Sequence, residues 1–102
     1  MAKKYLIYGI TKDSGYLDDP DAAINKYYYW RVDSSGEWIK RWDWRQNVVN
    51  RVKNGEVVAY SYLNGEQGAL CVIKIFSNGV EFLKTVPNGN PWDNLSNLPE
   101  YN

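Results

Sequence analysis

The chain contains no histidine and only one cysteine, Cys71, among its 102 residues. Without histidine there is no imidazole general base, no Ser-His-Asp triad and no zinc site with an imidazole ligand. One thiol excludes an internal disulfide, a paired-cysteine redox motif and a thiolate metal cluster, and it fits a reducing compartment. Formal net charge is also zero, so no whole-molecule field draws in nucleic acid or an anionic membrane. No apolar run approaches the ~18 residues that span a bilayer. Residues Met1 to Tyr8 carry Lys3 and Lys4 but no long apolar segment, which argues against a signal peptide. The expected location is cytoplasmic. No Gly-rich phosphate loop occurs, since Gly65 and Gly68 lack both the Lys-Ser/Thr pair and a following helix.

Aromatic residues are abundant, with five Trp and nine Tyr. A single domain spanning 1–102 cannot easily bury them all, so part of the aromatic surface is expected to face solvent. Charge is also uneven. Between Glu37 and Gly55 five basic residues face two acidic ones, a local excess of +3 that leaves −3 for the rest.

One stretch reads as a helix, about 43–54. Trp44, Val48 and Val52 recur at a four-residue spacing with Val49 beside them. Asp43 and Gln46 form a capping-box pattern, and Gly55 can adopt the left-handed C-terminal conformation. The other segments read as strands: Lys4–Lys12, Lys26–Val32, Glu37–Arg41, Glu56–Tyr62, Ala69–Phe76 and Val80–Thr85. In the first, Leu6, Tyr8 and Ile10 share one face, and Tyr5 and Ile7 the other. Asp33-Ser34-Ser35-Gly36 and Asn64-Gly65 supply hairpin turns. Asp13-Ser14-Gly15 is a further turn, and Asp18-Asp19-Pro20-Asp21 is a solvated connector that lacks the ligand spacing and central glycine of a calcium loop. The tail, 86–102, reads as a short helical clasp: Asn90 caps, Pro91 opens, and Leu95 and Leu98 anchor on the core. The expected class is therefore α+β, a mostly antiparallel sheet of about 4–6 strands on one helix.

Cys71, Ile73 and Ile75 alternate onto one face of their strand, so the thiol is expected to be a buried, unreactive hydrophobe. Asp93 and Asn94 read as structural fixings of the clasp. The binding signal is an aromatic and basic cluster: Tyr27, Tyr29, Arg31, Trp38, Lys40, Arg41, Trp42 and Arg45. Tyr, Trp and Arg dominate the energetics of protein interfaces and also stack on and neutralise single strands. The first expectation is a non-enzymatic protein-interaction module, with no catalytic residue, cofactor or metal. The alternatives are a single-stranded nucleic-acid binder using the same patch and a small carboxylate-dependent enzyme. No membrane is implied, and an edge strand offers a route to a homodimer.

Three stretches carry a family likeness. They are the opening strand running into Lys12-Asp13-Ser14-Gly15, the segment Val48 to Glu56, and above all Phe82-Leu83-Lys84-Thr85 followed by Pro87-Asn88-Gly89, Asp93-Asn94-Leu95 and Leu98-Pro99. They resemble a family of short bacterial and phage-encoded proteins known as a domain of unknown function, family 3892. The likeness covers roughly 4–17 and 44–99. Residues 18–43 look longer and more aromatic than is usual, an insertion, and Trp92 stands where a small residue is typical. The resemblance implies a fold and a bacterial or phage setting, in which an inhibitor or adaptor of a larger host complex such as a defence system is one role. It brings no activity, cofactor or catalytic residue.

Overall fold

A strand with apolar side chains on both faces must be covered on both, and the first strand is the centre of this molecule. A computed structural model describes residues 3–12, 21–76 and 79–101. The expected turn at 13–15 and most of the acidic connector, 18–20, lie outside the described residues. β1 (Lys3–Lys12) pairs antiparallel with β2 (Ile24–Val32), and β2 with β3 (Trp38–Trp44). α1 (Arg45–Lys53) then crosses one face of the sheet and returns the chain to β4 (Val57–Leu63), which lies parallel to β1. β5 (Glu66–Ile75) and β6 (Glu81–Thr85) complete a six-stranded sheet in the order β3-β2-β1-β4-β5-β6. The fold is α+β with the sheet predominating.

The core lies between α1 and the sheet. Tyr5 and Ile7 of β1, Tyr27 and Tyr29 of β2, Ala59 of β4 and Leu83 of β6 meet Val48 and Val49 of α1. Each large side chain buried here contributes about 1.5–3 kcal/mol. Tyr27 is fully buried, and its hydroxyl accepts a hydrogen bond from the Leu83 backbone N–H at 3.2 Å, which removes the cost of an unpaired polar group.

A β-bulge between Ile7 and Gly9 shifts the alternation of β1. Ile7 and Ile10 therefore both reach the core, and Ile10 does not share a face with Leu6 and Tyr8 as simple alternation predicts. β4 pairs with β1 only from Lys3 to Ile7, which leaves the far half of β1 free on that side. The C-terminal segment fills the gap. Ile10 donates to Pro99 O at 3.0 Å, and the Tyr101 N–H donates to Ile10 O at 2.8 Å.

The helix begins later than the sequence predicts. Asp43 stays in β3 opposite Tyr27, and Trp44 becomes the N-terminal flank without a side-chain cap. The predicted capping box does not form. The Asp43 carboxylate instead accepts from Asn47 and from its neighbour's backbone N–H, each at 2.8 Å, and pairs with Arg51 at 2.8 Å. Gln46 reaches Asn50 and Glu81. The other end follows expectation. Gly55 has φ +76°, its N–H meets Val52 O, and the Glu56 N–H meets Arg51 O, the two bonds of a Schellman motif. Asn64 (φ 54°) and Gly65 (φ 80°) form the tight turn joining β4 to β5. The clasp is two 3₁₀ turns, Pro91–Asp93 and Leu95–Asn97, and Leu95 and Leu98 anchor it in the core.

Candidate functional site

Strand alternation sends every second residue of β2 and β3 away from α1, and from Lys26 onward those positions are aromatic or lysine except for Val32. Register places Lys26 opposite Trp44, Tyr28 opposite Trp42, Trp30 opposite Lys40 and Val32 opposite Trp38. Leu6 and Tyr8 of β1, and Tyr60 and Tyr62 of β4, carry the same face across the sheet. The rings touch in sequence. Trp44 meets Trp42 edge-on at 5.6 Å, Trp42 meets Tyr28 at 6.5 Å, and Tyr28 meets both Tyr8 and Tyr101. Tyr8 continues to Trp30, then Trp38, then Tyr62. Trp38, Trp42 and Trp44 remain about half exposed, at 47%, 50% and 49%.

Lysines lie over these rings. Lys26 Nζ is 4.8 Å from the Trp42 centroid and 4.7 Å from that of Trp44, while Lys40 Nζ sits over Tyr8 and Trp30. Such cation–π contacts hold about 0.5–1 kcal/mol each at exposed sites. Burial, with Tyr101 and Tyr28 beside it, pushes the Tyr8 hydroxyl above its ordinary range, so it stays a neutral donor. By register, the described strand positions on this face carry Lys4, Lys26 and Lys40 on the β3-β2-β1 half and no carboxylate.

The eight residues predicted to form a binding cluster divide into four groups. Trp38, Lys40 and Trp42 lie together on the open face. Tyr27 and Tyr29 do not join them. Both are buried under α1, Tyr29 stacked on Tyr5 at 4.0 Å, because they have the opposite parity in β2. Arg31 and Arg41 also point to the helix side, where they line a recess beside Tyr5 and Tyr29. Arg45 is a structural tie, donating to the carbonyls of Ala22 at 2.8 Å and Ile24 at 3.0 Å. The prediction missed Tyr8, Lys26, Tyr28, Trp30 and Trp44. The sequence carried no signal for the three on β2: a four-residue turn from Asp33 to Gly36 would align Tyr29 and Tyr27 with Lys40 and Trp42, whereas the observed connection has five residues, Asp33 to Glu37, and aligns Trp30 and Tyr28 with them.

Cys71 is buried in the core, and burial, with Asp21 nearby, pushes its thiol well above the usual range. Among the described residues no group of three or more His, Cys, Asp or Glu is placed to hold a metal ion. None of the described helices is long and apolar enough to cross a membrane.

No curated protein and no solved structure matches the chain. Residues 33–99 match a family described as a protein of unknown function, DUF3892, and this span takes in β3, α1, the three following strands and the clasp. The chain belongs to that family, DUF3892.

Proposed function

We propose that this protein is a non-enzymatic interaction module whose open sheet face docks on another protein. The observation that carries the reading is the continuous aromatic layer from Trp44 to Tyr62, half exposed at Trp38, Trp42 and Trp44. Its rings meet at interplanar angles of 35–83°, a corrugated surface like one half of a core, not a row of coplanar platforms. Trp and Tyr of this kind are the residues that anchor protein interfaces. Lys26 and Lys40 within the layer favour a partner that presents carboxylates to them. A phage or mobile-element inhibitor or adaptor of a host complex fits this description, with the family setting as its support.

The test is affinity capture from bacterial lysate with and without nuclease, followed by binding measurements on the purified hit. Trp38→Ala and Trp42→Ala should each weaken capture at least about tenfold, in line with interface anchors. Thermal unfolding should stay close to wild type. An equal loss of binding and of stability would reduce these residues to structural ones.

A second reading, single-stranded nucleic-acid binding, is favoured by one observation: the β3-β2-β1 half of the face pairs its rings with three lysines and no carboxylate. It predicts oligonucleotide affinity that falls steeply with salt. Capture that survives nuclease, together with no oligonucleotide binding at low ionic strength, removes it.

A further inference from the structure

On the helix side of the sheet, at the end where β1 begins and β2 finishes, a recess of about 360 Å³ opens beside α1. That volume suits a small molecule. Its ionisable wall is unusual for a chain of zero net charge: Lys3, Arg31, Arg41 and Arg51 against Asp43 and Glu56, four cations to two carboxylates. The carboxylates do not cancel the cations evenly. Asp43 is taken by Arg51 at 2.8 Å, and Arg51 also donates to the Tyr5 hydroxyl at 3.3 Å. Glu56 is drawn to Asn54. Lys3, Arg31 and Arg41 make no ion pair within 4 Å among the described residues, although the charge of Arg31 reaches the exposed Asp33 carboxylate outside the recess.

Arg31 is the most telling of these. It is half buried, and its Nε is shut from solvent without a hydrogen-bond acceptor. A guanidinium held in that state costs free energy that an anion in the recess would offset. Register puts Arg31 and Arg41 on the same face of adjacent strands, since Tyr29 lies opposite Arg41 and Arg31 opposite Ile39. Two planar guanidiniums at diagonal positions on one face suit an oxyanion better than a halide, because a guanidinium can donate two parallel N–H bonds, and Arg41, which gives one nitrogen to the Lys40 carbonyl at 3.1 Å, keeps others.

We propose that this recess binds a phosphate-bearing small molecule, with Arg31 and Arg41 meeting the phosphate and Arg51, fixed by Asp43, closing the helix side. The excess of two positive charges matches a phosphate dianion. The recess lies on the helix side of the sheet and shares only Trp42 with the aromatic layer, and it does not depend on that layer having a partner.

Inorganic phosphate is the first probe, titrated into ¹⁵N-labelled full-length protein at constant ionic strength, with chloride and succinate as comparison anions. Saturable shifts are expected at the Arg31 Nε–H and at amides near Arg31, Arg41 and Arg51. Arg31→Gln and Arg41→Gln should each weaken phosphate binding about tenfold, the loss of one charged hydrogen bond. Lys74→Gln, on β5 and outside the recess, should leave it unchanged. Arg41 is exposed, so Arg41→Gln keeps the test decisive if Arg31→Gln fails to fold. Unsaturable shifts spread over all lysines, or binding indifferent to both arginine variants, would overturn the proposal. Tighter binding of succinate than of phosphate would overturn the phosphate assignment. Trp38→Ala, in the aromatic layer and outside the recess, should leave phosphate binding unchanged, and a loss equal to that of the arginine variants would overturn the assignment to the recess.

Discussion

At the scale of single residues, Gly9 and Tyr101 show how tightly the open face is assembled. A Cβ on Gly9 would collide with Cε2 and Cδ2 of the Tyr101 ring and lie 3.3 Å from Pro99 O. Glycine is needed here for close approach, because one edge of the Tyr101 ring occupies the space a Cβ would take. Gly9→Ala should displace Tyr101 and destabilise the protein by about 1–3 kcal/mol, the usual cost of overpacking. Adding Tyr101→Ala should recover part of that loss, and chemical denaturation of the two single variants and the double variant reads the coupling. Cys71 makes the opposite case, a potentially reactive group silenced by its surroundings. Its folded-state thiol is pushed upward by burial, so the thiolate is scarce at neutral pH. Ellman's reagent should label it slowly in the native protein and at an ordinary thiol rate after denaturation.

At the scale of elements, the junction of β3 and α1 is governed by Asp43. Its burial raises the carboxyl, but hydrogen bonds from Asn47, the Trp44 backbone and Arg51, together with the Arg51 charge, outweigh that and hold it below the ordinary carboxylate range. A carboxyl depressed in the folded state stabilises it above the ordinary carboxylate range, and the contribution is lost as pH falls through the folded value. Asp43→Asn should therefore lower stability near neutrality and flatten the acid side of the stability profile. Urea midpoints of wild type and variant, measured from about pH 7 downward, should converge once Asp43 is protonated. A constant gap at all pH values would assign the effect to packing. The same junction explains why a capping box was legible but absent: Asp43 and Gln46 have the right types and spacing, yet pairing of β3 with β2 runs through Trp44 and keeps Asp43 extended. Sheet hydrogen bonds won over a local cap. The C-terminal end of α1 had no such competitor, so Gly55 stopped it as its conformational freedom predicts.

At the scale of the whole molecule, the sheet has one face bound to α1 and the clasp and another lined with aromatic rings. The two should respond differently to truncation. Val49→Ala, in a fully buried site, should cost at least about 1 kcal/mol through transfer and cavity terms. Trp42→Ala, half exposed, should cost less than Val49→Ala although it removes far more atoms. Thermal unfolding of the two variants ranks them, and the reverse order would mean that the aromatic layer is part of the stabilising core of the free protein.

The strands, the single helix, the Asn64-Gly65 turn and the Leu95 and Leu98 anchors were all readable in the chain, because alternation, four-residue spacing and turn chemistry are local properties. The exclusion of imidazole and dithiol chemistry was settled by composition alone. Tertiary structure decided which face of β2 is inside. Tyr27 and Tyr28 are chemically the same residue one position apart, and only pairing with β1 and contact with α1 send one into the core and the other to the aromatic layer. The bulge at Tyr8, the parallel return of β4 and the gathering of Lys3, Arg31, Arg41 and Arg51 around one recess likewise depend on residues far apart in the chain. Local sequence sets the period of an element, and its phase is set by what it packs against.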